Sequence, residues 1–173
     1  MPTAVLPPSL RAYARSMTDA ERRLCDNGTV LCLRCGTPEV ISWMMSRVRP
    51  VDLLEFKVGL HASPQTLHLL LQHGLDLQRR ETLVMILSGA LTSCNRPLLL
   101  SVITQCPDWW KELPELALFA ESNETRRLLR VLTINRPYKY DWSSSYHQVT
   151  SITPIKGWEC VLEGRHWSCR LEF

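Results

Sequence analysis

Through the first 132 residues, apolar positions recur at helical spacing and are broken at short intervals by proline, glycine and small polar residues. Ser9 follows Pro7 and Pro8 and opens a run with Leu10, Ala14, Met17 and Leu24. Inside it, Thr18-Asp19-Ala20-Glu21 is a capping-box pattern that predicts a division into two short helices. Thr37-Pro38 couples an N-cap hydroxyl to a proline at the first helical position, and Val40, Ile41, Met44, Met45 and Val48 form the face behind it. Pro50 ends that helix, and Asp52 is placed to cap the next, which carries Leu53, Leu54, Phe56 and Leu60. Ser63-Pro64 repeats the device ahead of Leu67, Leu70 and Leu71, with Gly74 as the C-terminal stop. Thr82 to Leu91 predicts another helix, and Asn95-Arg96-Pro97 starts one that Cys106-Pro107 ends. Asp108 is placed to cap Trp109-Trp110, and Pro114 to Glu121 predicts a short apolar helix. Ser122-Asn123 precedes a last helix over Glu124 to Leu132, with Leu128, Leu129 and Leu132 on one face.

The pattern changes near residue 133. Of the 28 leucines, 26 lie before it, whereas seven of the 13 aromatic residues lie after it. The last 41 residues therefore predict β-structure or ordered loop packed on a helical body. Trp158 to Glu163, Gly164-Arg165 and His166 to Phe173 have the form of a hairpin. The chain divides into an N-terminal helical or capping segment (1–34), helical repeats (35–132) and an aromatic-rich β or loop segment (133–173).

Prolines or caps at 37–38, 63–64, 95–97 and 123 recur about every thirty residues, the period of a solenoid built from helical pairs. Neither short helix of such a pair buries its apolar face alone, so the pairs must stack. The segment Pro50 to Gln78 resembles one ankyrin repeat: a first helix, a tight turn near His61-Ala62-Ser63, a second helix with paired leucines, then His73-Gly74-Leu75-Asp76. Glu81 to Gln105 and Pro114 to Leu132 resemble further units, and Cys35 to Val48 the second helix of an N-terminal cap unit. The resemblance implies a mainly α fold, an ankyrin-like solenoid closed by a small β-rich C-terminal segment. It departs from the family in lacking an intact Thr-Pro-Leu-His signature and in its short connection from Asp76 to Thr82. An irregular helical bundle is the alternative.

Composition narrows the function classes. At 45% apolar and 21% charged the chain is a globular one, and no stretch approaches the apolar length of a membrane span. The prolines near the N-terminus interrupt any secretory signal, so an intracellular chain, cytoplasmic or nuclear, is expected, with no membrane partner. Seven cysteines, an odd number, in a reducing compartment argue against disulfides. No Gly-rich phosphate loop, nucleophile elbow or zinc-protease helix is present, and the five histidines form no recognisable catalytic set. The expectation is a protein that is not an enzyme.

Several constellations remain as candidate sites. Cys32-Leu33-Arg34-Cys35-Gly36 is half of a zinc signature, which Cys160 and Cys169 in the predicted hairpin would complete; buried free thiols are the competing reading, and no cofactor other than zinc is implied. Arg126, Arg127 and Arg130, followed by Arg136, Lys139 and the aromatic residues Tyr138, Tyr140 and Trp142, form a basic and aromatic cluster that suits single-stranded nucleic acid, or else a solvated helix face. A net charge of only +3 makes nucleic acid the weaker expectation. Trp43, Trp109 and Trp110 are candidate contacts for a partner protein; two adjacent tryptophans on one helix cannot both face the core, so either one of the pair reaches the surface or both pack on the aromatic C-terminal segment.

The segment Thr37 to Phe56 is also similar to the start of an F-box, which implies docking to a cullin-type ubiquitin ligase through residues 37–60. The leading expectation is a non-enzymatic interaction module or adaptor that binds another protein through a helical-repeat surface. A ubiquitin-ligase substrate adaptor and a zinc-stabilised nucleic-acid-binding regulator are the alternatives.

Overall fold

The computed structural model describes residues 6–25, 28–49, 53–112, 116 and 122–132, together with the backbone of 138–140, 149–152, 158–163 and 166–171. The described part is mainly helical. In chain order the helices are α1 (Pro8–Ser16), α2 (Asp19–Leu24), α3 (Gly28–Cys35), α4 (Pro38–Met45), α5 (Glu55–His61), α6 (Pro64–Gln72), α7 (Arg80–Thr92) and α8 (Arg96–Gln105). A 3-10 helix (Trp109–Glu112) and α9 (Asn123–Leu132) follow.

The helix starts follow from local chemistry. Thr18, Thr37 and Ser63 each accept a hydrogen bond from the backbone N–H three residues on, and Ser122 does the same for Thr125. Pro38, Pro64 and Pro97 stand in first turns, where a missing N–H costs nothing. Gly74 stops the second of these helices with φ +102. Two starts differ from the expectation. Helix α5 opens at Glu55 with Leu54 at the N-cap and no side-chain cap hydrogen bond; Asp52, the expected cap, lies outside the described residues. Asn95 does not cap α8 either: its amide Nδ2 donates to the α5 carbonyls of Gly59 (3.1 Å) and Ala62 (2.8 Å). Those two bonds tie the α7–α8 turn to the previous unit and hold Cys94 in the left-handed region at φ +51.

Packing arranges the helices in two columns. In one, α5 packs against both α3 and α7; in the other, α6 packs against both α4 and α8. Helix α1 lies over α3 and α4. Hydrogen bonds made by side chains link segments about thirty residues apart. Thr82 Oγ1 of α7 donates to Glu55 Oε1 of α5 (2.8 Å), Ser42 Oγ of α4 meets His73 Nε2 beyond α6 (3.3 Å), and Thr125 Oγ1 of α9 donates to the Leu91 carbonyl of α7 (3.1 Å).

One continuous apolar core runs from Leu10 to Leu129 and includes Leu33, Ile41, Leu67, Ile86 and Leu99. Helix α3 contributes Val30, Cys32 and Leu33 to the buried interior. The boundary between residues 34 and 35, which came from the extent of the ankyrin resemblance, lies within α3.

The closest approach is between α5 and α7. Gly59 and Gly89 face each other there, and a methyl group at Gly59 would overlap the Ile86 carbonyl oxygen, while one at Gly89 would overlap that of Phe56. Beyond α9 the described backbone forms two antiparallel ladders. One pairs β1 (Tyr138–Tyr140) with β2 (Val149–Ile152), and the other pairs β3 (Trp158–Glu163) with β4 (His166–Leu171). Strand β4 runs beside the 3-10 helix.

Gly59→Ala and Gly89→Ala are each expected to destabilise the fold by at least about 2 kcal/mol, since two backbones must separate to admit the methyl. Gly28→Ala, where an added methyl meets open space, is expected to lose nothing. Asn95→Ala, which leaves two helix-end carbonyls unpaired, should cost about 2 kcal/mol. Urea unfolding of the four proteins, followed by circular dichroism, checks the order.

Candidate functional site

The turns between paired helices come together on one side of the stack and border an open groove of about 450 Å³. Arg34 from the end of α3, His61 from the end of α5, and Ser93 and Asn95 from the α7–α8 turn line it, with Tyr13 of α1 at one end. Pro64 and Pro97, the prolines that start α6 and α8, line it as well.

Arg34 is the chemically distinctive group of this groove. Its Nη1 donates to His61 Nδ1 at 3.2 Å, so the ring nitrogen facing it acts as acceptor. Its Nε is buried and has no hydrogen-bond partner among the described residues. An unmatched guanidinium N–H beside hydroxyls and amides receives a carboxylate or a peptide carbonyl well. Aligned on Pro38, Pro64 and Pro97, the groove residues other than Tyr13 are these prolines or fall within four positions before one of them. The repeated punctuation carried this signal, and reading residue classes one at a time missed it.

A second surface lies around α1. Two adjoining hollows of about 310 and 430 Å³ share Ala14, Arg15 and Leu31 in their walls. Leu10, Cys32 and Trp43 line the first, and Met17, Arg22 and Cys25 the second.

The structure disperses the sequence-selected residues. Trp109 and Trp110 are both 1% exposed, so of the two expectations it is the packed one that holds and the surface-contact one that fails. They sit on a 3-10 helix rather than an α-helix, enclosed by the core on one side and by β4 on another. Neither offers a surface contact. Trp43 is half-buried, with the Arg47 guanidinium stacked 4.3 Å from its ring centre. Its Nε1 is buried without a hydrogen-bond partner among the described residues. Arg127 and Arg130 are exposed on α9 and Arg126 is half-buried, away from the buried Thr125, Leu128 and Leu129. Arg136 and the aromatic side chains beyond it lie outside the described residues.

The F-box-like segment is split between α4 and α5. Its Leu53 is a core residue at 4% exposure, whereas Leu54 is 54% exposed.

Cys32 and Cys35 lie in the last turns of α3 rather than on a metal-binding knuckle. Cys32 packs in the core, and Cys35 Sγ donates to the Ser9 carbonyl at 3.8 Å. Burial pushes the Cys32 thiol up to about 11, with the neighbouring Cys35 adding a smaller share. Such a group favours the neutral thiol over the thiolate that zinc requires. Cys160 and Cys169 are opposite one another in the β3–β4 ladder, and their side chains lie outside the described residues. Among the described residues no three His, Cys, Asp or Glu side chains are grouped to hold a metal ion. No helix among them is long and apolar enough to cross a membrane. Compared with protein-family models, with curated proteins and with solved structures, the chain finds no match.

The Cys32 shift makes stability depend on alkaline pH. In the unfolded chain the thiol loses its proton near pH 9, whereas in the fold it keeps it to about pH 11. The stabilisation is therefore complete below pH 9 and is lost as pH rises from 9 to 11. Its size is on the order of 2 kcal/mol. Cys32→Ala should flatten the fall of stability between these pH values, as measured by urea midpoints across the range.

Proposed function

We propose that this chain is a non-enzymatic protein-interaction module: an ankyrin-like solenoid of short helical pairs, with a β-rich C-terminal segment closing one end, that holds a partner protein in the groove along its turns. Support for the solenoid reading comes from the two helix columns and from side-chain hydrogen bonds at sequence separations of 27, 31 and 34 residues.

The binding role rests on one observation. The groove is contributed by successive turns and centres on Arg34, whose Nε is buried and unmatched among the described residues. Such a surface suits an extended peptide segment that brings a carboxylate or backbone carbonyls to the guanidinium and lies against Pro64 and Pro97. Recognition of this kind needs a rigid surface and no chemistry at a bond.

The test is affinity capture from cell lysate, read by mass spectrometry, with Arg34→Gln and Tyr13→Ala beside the unaltered chain. Both variants should lose at least about tenfold of one shared set of proteins, the change expected when about 1.4 kcal/mol of binding is removed. Arg127→Gln, on the far end of the stack, should keep that set. Capture that is indifferent to Arg34 and Tyr13, in variants whose melting is unchanged, would refute the groove as the binding surface.

A further inference from the structure

The hollows around α1 form a second surface, separate from the groove along the turns. Their floor is apolar, built from Leu10, Ala14, Met17, Leu31 and Trp43. Their walls carry Arg11, Arg15 and Arg22. All three arginines are exposed, and their guanidinium groups make no hydrogen bond or ion pair among the described residues. Nearby Glu21 is engaged in the capping box, where Thr18 Oγ1 donates to its Oε1 at 3.2 Å.

Residues 1–49 hold seven arginines and no lysine against four carboxylates, so the positive charge of the whole chain is concentrated at this end. The remaining residues balance to zero. Trp43 is among the residues that line the first hollow, and its indole N–H is buried with no partner among the described residues. A buried donor of this kind favours an occupant that brings an acceptor.

We propose that this basic-rimmed trough docks an acidic amphipathic helix of a partner protein. Arg11 and Arg15 are one helical turn apart, so their charges stand about 6 Å from each other along α1. Arg22, on α2, extends the row. A row of separated cations matches carboxylates spaced three or four residues apart on an incoming helix, whereas a single lipid headgroup concentrates its charge at one point. The apolar residues of the same helix, at positions i, i+3, i+4 and i+7, fill the two hollows. The Trp43 N–H meets an acceptor on the helix. This inference goes beyond the groove reading and stands independently of it.

The full chain labelled with 5-fluorotryptophan tests the proposal. The probe is a synthetic amphipathic helix with leucines on one face and glutamates flanking it. A version with lysines replacing the glutamates and phosphatidylserine vesicles are the comparisons. Trp43→Phe assigns the Trp43 fluorine resonance. The expected result is saturable binding of the glutamate peptide with a shift of the Trp43 resonance. The Arg11→Glu/Arg15→Glu protein should bind at least about tenfold more weakly, and Arg11→Gln/Arg15→Gln should fall between. Arg34→Gln should leave this binding unchanged, which separates failure here from failure of the groove. Equal binding of glutamate and lysine peptides, or binding without a Trp43 shift, would overturn the proposal. So would arginine-dependent binding to the vesicles in place of the peptide, which would make the trough a membrane contact.

Discussion

The contact between Gly59 and Gly89 sets the spacing of everything around it. With no side chain on either residue, α5 and α7 approach until each backbone lies against the other. That proximity lets Thr82 reach Glu55 across the pair and lets Asn95 donate to two carbonyls at the end of α5. A wider spacing would lose these bonds together with the close packing of Ile86, Leu87 and Ala90, which are buried completely. The flanking helices inherit the geometry. Helix α3 lies against α5, and α8 follows α7 through a turn fixed by Asn95. Glycine inside a helix is unfavourable in isolation, so here the gain from close packing outweighs a local propensity cost of roughly 1 kcal/mol per residue.

Both candidate surfaces are products of this stacking. The groove along the turns exists because three turns, each leading into a helix with proline in its first turn, come to lie side by side. Residues 34, 61 and 95, distant in sequence, then share one edge. The trough exists because α1 crosses over α3 and α4 without covering the apolar side of Leu31 and Trp43 fully. Arginine in place of lysine suits the groove, since the planar guanidinium of Arg34 leaves its Nε unmatched while Nη1 is engaged with His61.

Features governed by neighbours in sequence were legible. Thr18, Thr37, Ser63 and Ser122 cap because their partners lie three residues away, and the Cys106-Pro107 stop follows from proline chemistry. Features governed by contacts across the fold were not. Gly59 and Gly89 give no sign of their role in the sequence, because the helix that justifies each one is thirty residues off. Helix α3 was missed as a helix of its own: no cap-and-proline pair announces it, and its two cysteines suggest a turn. Trp109 and Trp110 diverge by about 120° on a 3-10 helix, and both are buried because the core lies on one side of that helix and β4 runs beside it, a contact across the fold that their spacing does not show. The candidate surfaces were legible only in part. Trp43 and the arginines could be named, but not the superposition that puts them at one place.

The common span of the long-range hydrogen bonds also bears on how the chain acquires its shape. Every such bond joins segments about thirty residues apart, so bringing these helices together closes no loop much longer than that. Folding in such an arrangement spreads outwards from its tightest neighbouring pair, here α5 and α7, and unfolding returns by the same route from the ends. The amide protons of α7 then exchange slowest with solvent and those of α1 and α9 fastest. The two ends that carry the arginine clusters are therefore also the parts that open first.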